Sequence, residues 1–232
     1  TLGTNQIDDT IIYENPAQPR WGWSISISEN NAYKILSISD GTEEKNRVYI
    51  QTTDSNEFLP VIDELIGEYA YLTSLDNVLF FYSTENASNG KVVTLTIQDG
   101  AFVWNDLIAE SMLPIRSVNI INKKILVTYL VDTLSKVKTF DLNGSFLEDF
   151  QFAEAGTIGG FYGGIDDEET YFNFTNYITP SKIYKLNLNT MEYALFWEEE
   201  LTNFDSSDFT TKLWFYESKD RTKVPLHISY RS

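Results

Sequence analysis

A chain of 232 residues with 42% hydrophobic and 15% aromatic content can bury a sizeable core and is far from a disordered composition. Thirty-four acidic against 17 basic side chains leave a net charge of −17, which repels phosphates and anionic lipid, so neither nucleic acid nor a membrane is an expected partner. The absence of cysteine excludes disulfides, thiolate catalysis and Cys-based zinc sites, and no apolar run approaches the ~18 residues of a membrane helix. A soluble protein is expected, with cytoplasm and periplasm both left open.

In chain order, DTIIYE at 9–14 reads as a strand standing before the first complete unit. Four units follow, each holding four short β-patterned runs. The unit at 16–67 contains WSISIS, YKILSIS, RVYIQTT and FLPVI; that at 68–113 contains EYAYLTS, VLFFYST, KVVTLTI and FVWNDLI. The unit at 114–155 contains IRSVNII, KILVTYL, KVKTFDL and FLEDFQF; that at 156–203 contains TIGGFYG, TYFNFTN, KIYKLNL and EYALFWE. These runs are rich in Val, Ile, Tyr, Phe and Thr, and turn pairs such as Asp99–Gly100 and Asn143–Gly144 separate them. At most one helical turn is expected, near Asp63–Ile66. Residues 204–232 close the chain with FTTKLWFYES, a turn at Lys219–Thr222, and KVPLHISYR.

Two landmarks keep one period. A basic residue opens the third run of each unit at Arg47, Lys91, Lys136 and Lys182, at intervals of 44, 45 and 46 residues. The second runs, centred on Leu36, Phe81, Val127 and Asn173, are spaced by 45, 46 and 46. Their nearly continuous apolar character implies strands buried on both faces. Four-stranded units at this spacing imply an all-β fold of four consecutive β-propeller blades. No Trp-Asp dipeptide closes a blade, and no sialidase-type aspartate box occurs.

Little in these residues carries chemistry. A serine peptidase needs a nucleophilic serine, usually on a G-x-S-x-G elbow, with a histidine base and an orienting acid. No such elbow is present, and the single histidine, His227, alternates within VPLHISY as a side chain on one strand face. Acidic runs at Asp40–Glu44, Asp166–Glu169 and Glu198–Glu200 lack the regular oxygen spacing and turn glycine of a calcium loop, so they read as solvated loops. No cofactor or metal is implied. The sequons at Asn86, Asn143 and Asn173 are short enough to arise by chance. Trp21 and Trp23 are candidates either for stacking on a ligand or for filling gaps between blades.

Five stretches together resemble the propeller domain of the prolyl oligopeptidases, proline-specific serine endopeptidases. They are PRWGWSISIS…YKILSISDGTEEKNRVYI at 19–50, YAYLTS…VLFFYSTENASNGKVVTLTI at 69–97, KKILVTYLVDTLSKVKTFDLNG at 123–144, GTIGGFYGG…YFNFTNYITPSKIYKLNLNT at 156–190, and FYESKDRTKVPLHISYR at 215–231. Arg221 stands where the family usually has a turn glycine, and Leu226–His227 replace a Met-Phe-like pair.

The resemblance implies a seven-bladed propeller that caps an α/β-hydrolase domain and admits short proline-containing peptides. Residues 1–15 would then end an earlier blade, and 204–232 would lead toward a hydrolase domain missing, with the remaining blades, from this chain. Gly22 and Thr42 match positions lining the outer substrate pocket, where bulkier residues are usual, and Trp23 is the candidate to fill that space. A free-standing propeller that binds proteins or peptides without catalysis is the alternative. Apolar faces left without a neighbouring blade imply self-association.

Overall fold

The computed structural model describes residues 2–98, 100–199, 201–202 and 204–232. Asp99 of the expected 99–100 turn and Glu200 of the 198–200 acidic run lie outside the described residues. The chain divides after Tyr69 into two compact units.

The first unit carries one antiparallel sheet in sequential order, β1 (Trp21–Ile27), β2 (Tyr33–Asp40), β3 (Asn46–Thr52) and β4 (Leu59–Ile62). Its buried side chains include Ile35, Leu36, Ile38, Val48 and Ile50, so β2 is buried on both faces as its apolar run predicts. Asn46 ties the start of β3 to the end of the unit. Its Nδ2 donates to Ser37 Oγ at 2.9 Å and to the Tyr69 carbonyl at 3.0 Å, while its Oδ1 accepts from Tyr69 N at 2.6 Å. A buried amide side chain is stable because these partners replace its lost water.

The strand expected at 9–14 is absent. Those residues are irregular and follow a 3-10 turn at Gln6–Asp8; they add no strand to the β1–β4 sheet, whose outer strands are β1 and β4. Side-chain packing holds the segment instead. Tyr13 sets its ring edge-on to Trp23 at 5.2 Å and to Phe58 at 5.7 Å. Likewise, residues 63–66 form bends rather than a helical turn.

The second unit carries three more four-stranded antiparallel sheets, each in sequential order. They are β5 (Tyr69–Leu75) to β8 (Ala101–Ile108) through β6 (Val78–Ser83) and β7 (Lys91–Gln98), and β9 (Ile115–Ile121) to β12 (Phe146–Asp149) through β10 (Lys124–Val131) and β11 (Leu134–Asp141). The last comprises β13 (Thr157–Tyr162), β14 (Glu169–Thr175), β15 (Lys182–Asn187) and β16 (Tyr193–Glu198); a separate hairpin, β17 (Phe209–Glu217) and β18 (Lys223–Arg231), follows.

Alternation along β10 explains how these sheets stack. Ile125, Val127 and Tyr129 enter a cluster with Phe80, Val92 and Ile108 of the β5–β8 sheet. Leu126 points the other way, into a cluster with Phe161, Phe172, Phe174 and Leu186 of the β13–β16 sheet. Strand β14 departs from the expected two-sided burial: Phe172 and Phe174 are buried, whereas Tyr171 and Glu169 are exposed on the opposite face. At 82% exposure, Tyr162 likewise stands largely in solvent.

The basic landmarks acquire a physical role. Lys91, Lys136 and Lys182 each form an ion pair with an acid on the fourth strand of the same sheet: Asp106 at 3.0 Å, Asp149 at 3.0 Å and Glu198 at 3.1 Å. The Glu198 carboxylate, by accepting a hydrogen bond, holds the Lys182 ammonium above its ordinary pKa. Each partly exposed pair contributes only about 0.2–1 kcal/mol, so the landmarks set register more than stability. Beside these pairs, every sheet shifts register between its third and fourth strands: at Val48/Tyr49, Val92/Val93, Thr139/Phe140 and Ile183/Tyr184. Such bulges increase strand twist, which fits a repeated, strongly twisted unit.

Candidate functional site

The three pocket candidates sit at one end of the first sheet. Gly22 pairs with Ser39 and Trp23 with Ile38, while Thr42 occupies the exposed β2–β3 turn just beyond the last pair, Trp21 with Asp40. Gly41, at φ +61°, provides the left-handed residue that this turn needs. Arg20 pins the end of the sheet by pairing with Asp40 at 3.2 Å. Gly22 lies tight against its neighbour. A Cβ there would approach Ser39 Oγ to 2.8 Å, and that hydroxyl donates to the Gly22 carbonyl at 3.4 Å. A small side chain at this position is accommodated by rotating Ser39.

The two tryptophans differ. The Arg47 guanidinium covers the Trp21 ring at 4.4 Å from its centroid, within cation–π range, so Trp21 is already engaged. Trp23 is 41% exposed, edge-on to Trp21 and Tyr13, and offers its remaining surface to solvent. Unlike the lysine landmarks, Arg47 donates its Nε to the Asp63 carbonyl at 2.9 Å. Beside it, the Tyr49 hydroxyl donates to the Asp63 carboxylate. Burial, with that bond and the Asp63 charge, pushes the Tyr49 phenol up to about 12.

A folded-state pKa above the ordinary 10.0 gives stability that is complete below pH 10 and lost as pH rises through about 12. Tyr49→Phe should therefore flatten the alkaline loss of stability in that window and remove one late-titrating phenol from the tyrosinate absorbance curve. A titration curve identical to that of the parent would refute this placement of Tyr49.

The acidic runs are engaged with cations and backbone. Lys123 pairs with Asp166 at 3.2 Å and Lys185 with Glu169 at 2.7 Å, and Asp167 accepts from Gly164 N at 2.7 Å. Among the described residues no group of three or more His, Cys, Asp or Glu side chains is placed to hold a metal ion. Nor is any helix among them long and apolar enough to cross a membrane.

A second site escaped the sequence reading. A cleft of about 390 Å³ lies between the terminal hairpin and the ends of two sheets, lined by Thr133, Gly156, Asn176, Tyr177, Leu213 and His227 among others. The two sheets are fixed there by Ser135, whose N donates to the Gly156 carbonyl at 3.0 Å and whose Oγ accepts from Ile158 N at 3.0 Å. His227 does lie on one strand face, as expected, but that face meets the cleft. Its Nε2 lies 2.5 Å from Thr133 Oγ1, and its ring lies 4.6 Å from that of Tyr177 at 38°. Its position as the sole histidine was the available signal, but a partner 94 residues away is invisible to local pattern.

A family model described as the prolyl oligopeptidase N-terminal β-propeller domain matches residues 1–198. Among curated proteins, the prolyl endopeptidase of Elizabethkingia miricola is 31% identical over 230 residues, covering 98% of this chain and 32% of that protein. That of Dictyostelium discoideum is 24% identical over 247 residues, again spanning 98% of this chain and 32% of the relative. The chain thus spans about a third of the length of the curated relatives it matches. Prolyl oligopeptidase B from Galerina marginata, solved as the apo protein, superposes with a TM-score of 0.90 at 21% identity, covering 99% of this chain and 34% of that one. The same enzyme has been solved bound to a 25mer macrocyclization substrate, with a TM-score of 0.89.

Proposed function

We propose, for a chain that belongs to the prolyl oligopeptidase N-terminal β-propeller family, the role of a gate: it admits short proline-containing peptides to a serine-hydrolase domain supplied by the rest of the protein. The observation that carries this reading is the family match over 1–198, coinciding with four antiparallel sheets of four strands each. In this reading the sheets are consecutive blades bounded at 16–67, 68–113, 114–155 and 156–203, and 204–232 connect them to the hydrolase.

The segment itself is inert toward peptides. It has no nucleophile elbow, and its one imidazole is engaged by a threonine and a tyrosine rather than by a serine and an acid. Gly22, Trp23 and Thr42 line the outer pocket, where their clustering at one sheet end lets them meet residues upstream of the scissile proline. The small Gly22 and exposed Thr42 leave room there that Trp23 partly fills.

One assay series tests the whole reading. The isolated segment should leave a chromogenic proline-containing peptide uncut, whereas the full-length protein should cleave after proline in short peptides and spare folded proteins. Thr42→Phe in the full-length protein should change the ranking of peptides that differ upstream of proline more than it changes kcat on the best of them. A full-length protein that cleaves no proline peptide sinks the gating role, and an unchanged ranking removes Thr42 from the pocket.

A further inference from the structure

The hairpin β17–β18 is strongly bonded to itself. Thr210 meets Ser232 and Thr211 meets Ser229, each at 2.7 Å, and Arg231 pairs with Asp208 at 2.8 Å. Its Trp214, Phe215 and Tyr216 are exposed. Among the described residues, the hydrogen bond that joins it to the sheets is the one between His227 and Thr133.

The backbone gives an independent reason to look at Thr133. It sits at φ +72° in the turn between β10 and β11, after Asp132 at φ +49°. Left-handed backbone is costly for a β-branched residue, by roughly 1–2 kcal/mol, whereas Gly or Asn adopts it readily. A threonine kept in such a conformation at a two-residue hairpin turn marks a position where its side chain is needed. The hydroxyl at that position is the hairpin's tether. Tyr177, from the loop after β14, supplies the other half of the grip by laying its ring against the imidazole.

We propose that Thr133, His227 and Tyr177 form a clasp that holds the terminal hairpin on the third and fourth sheets. Resting on the gating role proposed above, the clasp also sets how readily the sheets and the domain beyond the hairpin part to admit longer peptides. The three are positioning residues and touch no reacting atom.

The test uses the full-length protein and two substitutions that remove the hydrogen bond in different ways. His227→Phe keeps an aromatic ring for Tyr177, and Thr133→Gly removes the hydroxyl while relieving the left-handed strain. Each should raise hydrogen exchange of the β17–β18 amides about fivefold, the worth of one net hydrogen bond, and the double variant should raise it no further. Thr133→Gly should leave the melting temperature of the sheets unchanged or higher, which loss of a merely structural residue would not do. Unchanged exchange in either variant, or effects that multiply in the double variant, overturns the clasp.

A second readout is the ratio of kcat/KM for long over short proline-containing peptides, which should rise with the exchange. A constant ratio alongside raised exchange overturns the control of peptide length. Should the protein cleave no proline peptide, the gating role fails, while the exchange result still decides the clasp.

Discussion

Phe172→Ala should destabilise the second unit by about 3–5 kcal/mol, the range for truncating a fully packed aromatic ring. Phe172 is 1% exposed and stands at the centre of an aromatic assembly. Its ring stacks on Tyr184 at 5.3 Å and on Phe161 at 5.4 Å, and meets the rings of Phe150 and Phe152 edge-on at 5.4 and 5.5 Å. These four aromatic side chains and the backbone that carries them cannot collapse into the space left by alanine, so the cavity persists and their dispersion contacts are lost. Tyr171, one residue earlier on the opposite face, is the internal control. It is 43% exposed and contacts Phe196 edge-on at 4.9 Å, so Tyr171→Ala should cost only roughly 1 kcal/mol. Chemical denaturation of the two variants would compare the midpoints. Equal losses would mean that β14 is not buried on one side and open on the other.

That one-sidedness marks where sequence pattern stops being informative. TYFNFTN and KILVTYL look alike as apolar runs, and both were expected to be buried twice over. Burial on a second face depends on a neighbouring sheet, and the neighbour of β10 on each side lies within the second unit, whereas Tyr171 is 43% exposed and its ring meets that of Phe196 in its own sheet. The strand order was legible because turn residues and period-2 runs act locally. The lysine landmarks were legible as a rhythm but not as ion pairs, since their acids lie on the next strand across a register shift that alternation does not reveal.

The segment at 9–14 shows the converse limit. Ile11, Ile12 and Tyr13 have the composition of a strand, but a strand also requires an edge to bond, and composition is silent on that. For the pocket candidates, the register of β1 on β2 accounts for their gathering at one sheet end, but their choice rested on family resemblance. The clasp was invisible for a different reason: its cost is written in the φ angle of Thr133 and its return in a residue 94 positions later.

Two glycines that look interchangeable in the sequence should respond very differently to alanine. Gly100 and Gly144 each close a turn before the fourth strand of a sheet, at φ +78° and +79°. Alanine at either position meets the left-handed penalty of roughly 1–2 kcal/mol, and the entropy it removes from the unfolded chain is the same in both. The surroundings are not the same. A Cβ at Gly100 would have nothing within 4 Å, whereas at Gly144 it would come within 2.2 Å of the Leu107 carbonyl oxygen on β8, in the adjoining sheet. A backbone oxygen in a hydrogen-bonded sheet cannot rotate away as a side chain can. The β11–β12 turn must move instead, against Asp141, whose carboxylate accepts from Asn143 N at 2.9 Å and Ser145 N at 2.8 Å. Overpacking of this kind adds about 1–3 kcal/mol, so Gly144→Ala should cost about 2–5 kcal/mol against 1–2 for Gly100→Ala. Denaturation midpoints of the two variants decide it. If Gly144→Ala proves no worse than Gly100→Ala, the close approach of the turn to Leu107 is wrong, and with it the packing of the second sheet on the third at that end.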